Sequence, residues 1–438
     1  MMGIKERYKD ILEKSDAFFS SFPMLVISLL LYKILVDVIY LLYIGPTFQY
    51  GIRIHALNTA SSYLYLGMYA IFFYEFVKSR TASSVLFIVL NMIYFIPVTT
   101  YCSLGSGSSS FLFFAILYWT LFSVLQIKIP VIVWKRTGIS GRRCSFFMYI
   151  LLAGISVFTV YLSWKYTGFR IVTDLMEVYD IRAEAAGYDL STGFRYLQNF
   201  STILIPLLIL FCFRQKKYLL VLWGAFLLLL NFSFAGHKTV LFMGVLVIAG
   251  AVFWRRQMVS LILPGGIGLA VLGALEERAF GHAYIISFFF RRMGYLLAQL
   301  SDEYYRYFQN NPADIFRGTF LGKLGFESPY PLPLPYVIGN NHLSQTVSSN
   351  NGLLADVWSN LGIMGILVMP FILIVCFRLF DMAAEGLPSR YVVGLAVYYA
   401  VLFSNGTWSI VLLTHGFLIM CFVYFMFPRD AGLRGEGK

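Results

Sequence analysis

Arginines are concentrated in two polar segments of the chain, residues 165–196 and 276–351. The guanidinium group stays charged and presents a rigid fork of donors, so a group of arginines is suited to binding phosphate. The alternative is that these side chains sit at lipid headgroups or pair with nearby acids. The arginines are Arg170, Arg182, Arg195, Arg278, Arg291, Arg292, Arg306 and Arg317, and the acids are Glu184, Asp189, Asp302 and Glu303.

Arg291 and Arg292 interrupt the apolar run SFFFRRMGYLLAQL. A charged pair in such a run needs a buried partner, which favours anion binding here. Lys238 lies beside His237 in a short Gly-His-Lys-Thr interruption between two apolar runs. Two charged groups at the centre of a membrane would be costly, so we expect a tight hairpin there. Lys238 then either extends to the membrane surface or contacts a phosphate.

Two histidines lie in the second polar segment, His282 and His342. Either is an ordinary hydrogen-bonding surface group or, close to a sugar hydroxyl, a general base. His282 follows Arg278 by four residues, so the two could share a helix face.

The stretch Ser348–Asn351 precedes an apolar run and is typical of a helix N-cap. The positive end of such a helix attracts phosphate. Asp356 and Asn360 share one face of this helix, and a polar contact between helices is the alternative use of that face. Lys33 and Asp37 have the same spacing within the first apolar run, where we expect an internal ion pair.

Several common catalytic patterns are missing from the sequence. It contains no DxD triad, no complete phosphate-binding P-loop and no GxSxG elbow. The five cysteines are scattered without a CxxC pair, which argues against a zinc or redox site. The sequence therefore predicts no metal site and no cofactor.

The composition indicates that these residues are carried by membrane helices. Of 438 residues 59% are hydrophobic and 13% are charged, with mean hydropathy +0.72, whereas soluble domains have about 25% charged residues. A membrane-spanning helix needs about 20 apolar residues. We predict an all-α polytopic membrane protein with about 12 transmembrane helices, near residues 20–44, 60–77, 83–101, 111–134, 146–164, 197–213, 217–235, 239–254, 258–275, 352–377, 391–405 and 408–427.

The positive-inside rule orients these helices. With both termini in the cytoplasm, the inside segments hold 21 of the 34 basic residues and only 9 acids, and the outside segments hold 12 of each. The basic pI of 9.3 therefore reflects topology, and no nucleic acid partner is expected. Residues 1–438 would form a single integral membrane domain, with segments 165–196 and 276–351 as long extracytoplasmic loops, the second containing short helices.

The segment from Arg291 to Gly365 resembles a known family. FFFRRMGYLLAQLSDEYYRYFQNNP, followed by a Pro/Gly-rich stretch and NNGLLADVWSNLGIMG, is similar to the bacterial oligosaccharide repeat-unit polymerases, the O-antigen polymerase (Wzy-type) family. GHKTVL resembles the Gly-x-Lys-Ser/Thr hairpin of that family. The resemblance covers about a quarter of the chain.

The resemblance implies a lipid-donor (GT-C-like) glycosyltransferase in the bacterial inner membrane. Such an enzyme moves a glycan from undecaprenyl pyrophosphate to the terminal sugar of another lipid-linked repeat unit on the periplasmic face, without a metal. A chain-length regulator would be a possible partner, and the product would be O-antigen or capsular polysaccharide.

Carried onto this sequence, the resemblance assigns pyrophosphate contacts to Arg292 and Lys238 and proton removal to His282, with His342 second. The supporting substrate-binding residues would be Arg291, Arg278, Arg195, Arg182, Asn351 and Asp356. Two other functions fit the sequence: an O-antigen ligase, which uses the same donor, and a polysaccharide transporter or flippase. A transporter would place its polar residues within the spans, often on broken helices.

Overall fold

The computed structural model describes residues 4–48, 50–133, 141–172, 177–343 and 347–429, and the regular elements in these ranges are helical. The main helices are α1 (Ile4–Phe19), α2 (Phe22–Thr47), α3 (Ala56–Ser79), α4 (Ala82–Leu104), α5 (Ser109–Lys128), α6 (Gly141–Thr167), α7 (Val178–Ala186), α8 (Thr192–Arg214), α9 (Tyr218–Ala235), α10 (Lys238–Phe253), α11 (Arg256–Phe280), α12 (Leu296–Phe308), α13 (Leu334–Leu343), α14 (Leu354–Ala384), α15 (Val393–Asn405) and α16 (Trp408–Met426).

Nine helices of the described ranges are long and apolar enough to cross a membrane: α2, α4, α5, α6, α8, α9, α11, α14 and α16. The protein is thus an all-helical protein with the features of a multi-pass membrane protein. The predicted spans near 239–254 and 391–405 correspond to the shorter apolar helices α10 and α15.

Helix α3, at the span predicted for 60–77, has 24 residues but does not belong to that apolar set. Its polar residues face α4: Asn58 donates to the Cys102 carbonyl at 2.7 Å, and the Ser62 and Ser103 hydroxyls are 3.1 Å apart. These hydrogen bonds give the polar groups partners inside the protein, because lipid chains cannot form hydrogen bonds with them.

Within the described residues, four helical stretches have π-helical geometry, which often marks functional segments. Tyr40–Ile44 ends α2, Asn91–Phe95 interrupts α4, and Ser163–Thr167 ends α6. The longest, Ile286–Tyr295, leads directly into α12 and contains the tandem arginines.

The chain forms two compact units. The first contains residues 1–130, 255–378 and 399–409, and the second contains 131–254, 379–398 and 410–438. In the first unit α2 packs against α3 and α11, and α12 packs against the start of α14. In the second, α8 packs against α6, α9 and α10.

The core of the first unit is aromatic and also contains the predicted ion pair. Lys33 Nζ lies 2.5 Å from Asp37 Oδ1, which confirms the pairing. The Thr100 and Tyr63 hydroxyls donate to the same carboxylate at 2.6 and 2.7 Å. A buried charge is tolerated when it is paired and hydrogen-bonded in this way.

Candidate functional site

Three segments meet at one end of the first unit. Backbone N–H groups of Arg53 and His55 donate to the carbonyls of Leu104 and Ser103, both at 2.8 Å. Arg306, near the end of α12, donates to the Ser106 carbonyl. The turn after α2, the turn between α4 and α5, and the helical stretch 286–308 therefore form one surface, which we call the arginine surface.

Arg291 is fixed in this surface by two aromatic residues. Its guanidinium lies 3.9 Å from the ring centroid of Phe48, a distance at which a cation is attracted by the ring. Arg291 also lies close enough to the Tyr50 phenol to interact with it electrostatically. Burial raises the pKa of Tyr50, and Arg291 partly opposes that shift. Arg291 is thus packed within the protein.

Arg292, the next residue, has a different environment. Its side chain is exposed and makes no hydrogen bond or ion pair within the described ranges. The two adjacent arginines therefore divide into a packed residue and a free guanidinium, and the free one is available to an anionic ligand.

His282 lies just beyond α11, not on it. The helix ends at Phe280, and Gly281 takes the left-handed conformation with φ +68°. The prediction that Arg278 and His282 share a helix face is therefore wrong. Arg278 itself is exposed in the last turn of α11.

The His282 imidazole is oriented by its neighbours. Its Nδ1 lies 3.2 Å from Glu276 Oε1, and its ring is 4.4 Å from the Tyr284 ring between centroids. The other carboxylate oxygen of Glu276 accepts the Ile285 backbone N–H at 2.8 Å. The side chain of His282 is 44% exposed, so the oriented ring is open to solvent. His342 lies in α13, and its side chain is outside the described part of the chain.

Asn351 is buried beneath the arginine surface. It donates to the Leu297 carbonyl at 2.9 Å and to the Ser301 hydroxyl at 3.0 Å, which joins the start of α14 to α12.

Asp356 is also buried and has internal partners. Its Oδ2 accepts the Trp408 backbone N–H at 2.6 Å, and its Oδ1 accepts the Asn360 amide at 3.0 Å. Asn360 in turn accepts the Phe316 N–H at 2.9 Å. The polar face predicted for Asp356 and Asn360 therefore serves internal contacts.

The predicted N-cap by Ser348–Asn351 is wrong, because the helix starts later. It begins at Leu354, and Leu353 precedes it with φ +48°. The Tyr94 hydroxyl accepts the Leu354 N–H at 3.1 Å. One N–H group of the helix end that was expected to bind phosphate is therefore already bonded to a protein hydroxyl.

In the second unit, Lys238 follows a tight hairpin between α9 and α10, as predicted. Gly236 closes α9 with φ +64°, and its carbonyl accepts Arg182 Nε at 2.9 Å. Arg182 therefore lies on the hairpin that carries His237 and Lys238. Partial desolvation, with repulsion from Arg182 and His415, lowers the pKa of His237.

Arg195 lies further along, in the first turn of α8, and is exposed. Its Nη2 donates to the Tyr188 carbonyl at 3.3 Å. The predicted site residues thus form two groups. Arg278, His282, Arg291, Arg292, Asn351 and Asp356 belong to the first unit, and Arg182, Arg195 and Lys238 belong to the second.

No motif in the sequence marks Phe48 and Tyr50. The sequence marks Asp302 only as an acid near the arginines, although its spacing from Arg306 is that of a helical ion pair. Among the described residues, no three His, Cys, Asp or Glu side chains are grouped as a metal site would require. Comparison of the chain with protein-family models, curated proteins and solved structures returns no match.

Proposed function

We propose that this protein is a membrane glycosyltransferase that polymerises oligosaccharide repeat units carried on undecaprenyl pyrophosphate. The observation that carries the proposal is the contrast between Arg291 and Arg292. Arg291 is clamped by Phe48 and Tyr50, and this fixes the segment on which Arg292 presents a free guanidinium. A charged hydrogen-bond donor such as Arg292, in an apolar segment next to membrane helices, is suited to binding the phosphate of a lipid.

In the proposed reaction, an acceptor sugar hydroxyl attacks the anomeric carbon of the donor glycan. The new glycosidic bond forms as the bond between that carbon and the pyrophosphate oxygen breaks. Charge develops on the leaving pyrophosphate, and a guanidinium placed there stabilises the transition state. Because the donor is already activated, no metal is required.

His282 is assigned the role of the general base that removes the proton of the acceptor sugar hydroxyl. The Glu276 carboxylate next to Nδ1 favours the tautomer that carries its proton on Nδ1, and this leaves Nε2 as the proton acceptor. A base oriented by a carboxylate in this way contributes about 10²–10⁴-fold in typical enzymes.

Asn351 and Asp356 are assigned positioning roles instead of substrate contacts. Their polar atoms are occupied by α12, Asn360 and Trp408. In the first unit, Arg278 and Arg292 remain the proposed contacts for pyrophosphate and glycan. Arg182, Arg195 and Lys238 keep their proposed substrate-binding role within the second unit alone.

A transporter is the second candidate, and two observations favour it. Helix α16 is interrupted between Leu413 and Phe417, and the Lys33–Asp37 pair lies inside a span. Interrupted helices and buried polar groups are features of transporters. An O-antigen ligase has no separate structural support.

Purified protein in nanodiscs, mixed with undecaprenyl-pyrophosphate-linked repeat units, tests the proposal. We expect a ladder of longer lipid-linked glycans, which Arg292→Ala abolishes. A protein that only moves these lipids across vesicles without lengthening them is a transporter. Extension only on a lipid A core acceptor would identify a ligase. In cells, deletion of the gene should leave a single repeat unit on the core.

A further inference from the structure

Asp302 and Arg306 form an ion pair that is buried at one end and open at the other. Asp302 is 0% exposed, whereas the Arg306 side chain is 48% exposed. Arg306 Nη2 lies 2.7 Å from Asp302 Oδ2 and also donates to the Ser106 carbonyl. One corner of the guanidinium is therefore held from two sides.

The rest of this guanidinium is available. Nε and Nη1 of Arg306 make no hydrogen bond to any described residue. Nη1 directs its two N–H groups away from the corner that Asp302 and Ser106 hold, and Nε, separated from Nη1 by Cδ, offers one more. Each of the two nitrogens can therefore donate singly to a phosphate oxygen. An arginine fixed through one corner loses little freedom when a ligand binds the rest.

We propose that Arg306 is a further contact for the phosphate groups of the substrate, and that Asp302 is the positioning residue that holds it. The inference rests on the proposed transfer reaction and adds to it a second arginine. It also gives Arg306 a role beyond the pairing with a nearby acid that the sequence suggests.

The surroundings of Asp302 make the arrangement sensitive to pH. Burial raises the pKa of Asp302 to about 6, while Arg306 acts against this shift and Glu303 adds to it. The other groups facing the carboxylate are Tyr101, Cys102 and the backbone of Ser108. As the pH falls through about 6 the carboxylate becomes protonated and the ion pair is progressively lost. Above about pH 7 it is ionised and Arg306 is held.

The test uses the full chain in nanodiscs and farnesyl pyrophosphate as the probe, with affinity measured by calorimetry at pH 5.5 and 7.5. We expect Arg306→Ala to weaken binding about 10-fold at pH 7.5, with partial recovery in Arg306→Lys, because lysine keeps the charge but not the fork. Asp302→Asn should weaken binding about 5-fold at pH 7.5, because the ion pair is lost. It should also show a smaller change between the two pH values than wild type.

Glu184→Gln is the matched control. Its carboxylate pairs with Arg170 at 2.6 Å, but both side chains are exposed. We expect wild-type affinity and pH dependence, because exposed pairs contribute little. The titration of the probe itself is common to all variants, so only the difference between Asp302→Asn and wild type reports on Asp302.

The two proposals fail differently. If folded wild-type protein does not bind the probe at either pH, the pyrophosphate function itself is contradicted. If wild type binds but Arg306→Ala and Arg306→Lys bind equally well, the inference is overturned. Should Asp302→Asn fail to fold, the half-exposed Arg306 variants still decide the role of the guanidinium.

Discussion

At the scale of single residues, the tandem arginines should respond differently to mutation. Arg292→Ala removes the free guanidinium, and a loss of about 3 kcal/mol of transition-state stabilisation would slow transfer about 100-fold. Arg292→Lys should not restore the rate, because lysine cannot offer the bidentate contact. Glycan length on gels, normalised to protein in the membrane, measures both effects.

Arg291→Ala is the companion variant. It removes the cation–π contact with Phe48 and the electrostatic interaction with Tyr50, so we expect lower thermal stability and less protein in the membrane. Normal polymer from Arg292→Ala, or loss of that protein from the membrane, would leave the pyrophosphate role of Arg292 without support.

Asp356 gives a second contrast at this scale. Asp356→Ala leaves the part-buried Trp408 N–H without its acceptor, at a cost of about 1–3 kcal/mol. We expect a lower melting temperature in detergent but unchanged activity per folded molecule. A substrate ligand would show the opposite pattern, with reduced activity at an unchanged melting temperature.

The residue types that do chemistry were visible in the sequence, but their partners were not. The acidic and amide residues after Ser348 could be recognised as a polar face, yet Trp408 and Phe316 come from distant segments. Only the fold shows that these segments meet there. The pairs Lys33–Asp37 and Asp302–Arg306 could be found because helical spacing alone brings their side chains together.

At the scale of elements, the hairpin between α9 and α10 depends on Gly236. An added Cβ would lie 3.0 Å from the Val178 carbonyl oxygen of α7, and φ is +64°. Gly236→Ala should therefore destabilise the protein by more than the 1–2 kcal/mol of a left-handed residue alone. Unfolding in detergent followed by tryptophan fluorescence measures this change.

Gly168→Ala is its control. Gly168 has φ +57°, but nothing lies within 4 Å of an added Cβ. Both variants carry the backbone cost, and only Gly236→Ala has the clash with α7. Equal destabilisation of the two would show that α7 does not clamp the hairpin.

Helix positions followed from apolar runs because lipid requires long apolar helices. The ends were harder to predict. α14 starts at Leu354 because Asn351 turns toward α12 and the Tyr94 hydroxyl accepts the Leu354 N–H. The π-helical stretches also had no sequence signal, since they depend on packing between neighbouring helices.

At the scale of the whole molecule, we predict that polymerisation does not need a metal ion. The sequence has no DxD clamp, and the proposed donor is already activated. Activity in the nanodisc assay should persist with excess EDTA. Loss of activity with EDTA and recovery with Mg²⁺ or Mn²⁺ would contradict metal-independent transfer. It would instead indicate a metal ion held by carboxylates together with the substrate.

The orientation of the chain in the membrane is the last prediction, and it follows from the distribution of basic residues. The segments that contain Asp180 and Pro312 should both lie outside the cytoplasm. Both residues are exposed, so cysteines introduced there should react with a membrane-impermeant maleimide in cells whose outer membrane is permeabilised. The five native cysteines are buried, which keeps the background low.

Lys78→Cys, exposed near the end of α3, should react only after the cytoplasm is opened. The reverse pattern at all three sites would invert the topology and place the arginine surface where no lipid-linked glycan is extended.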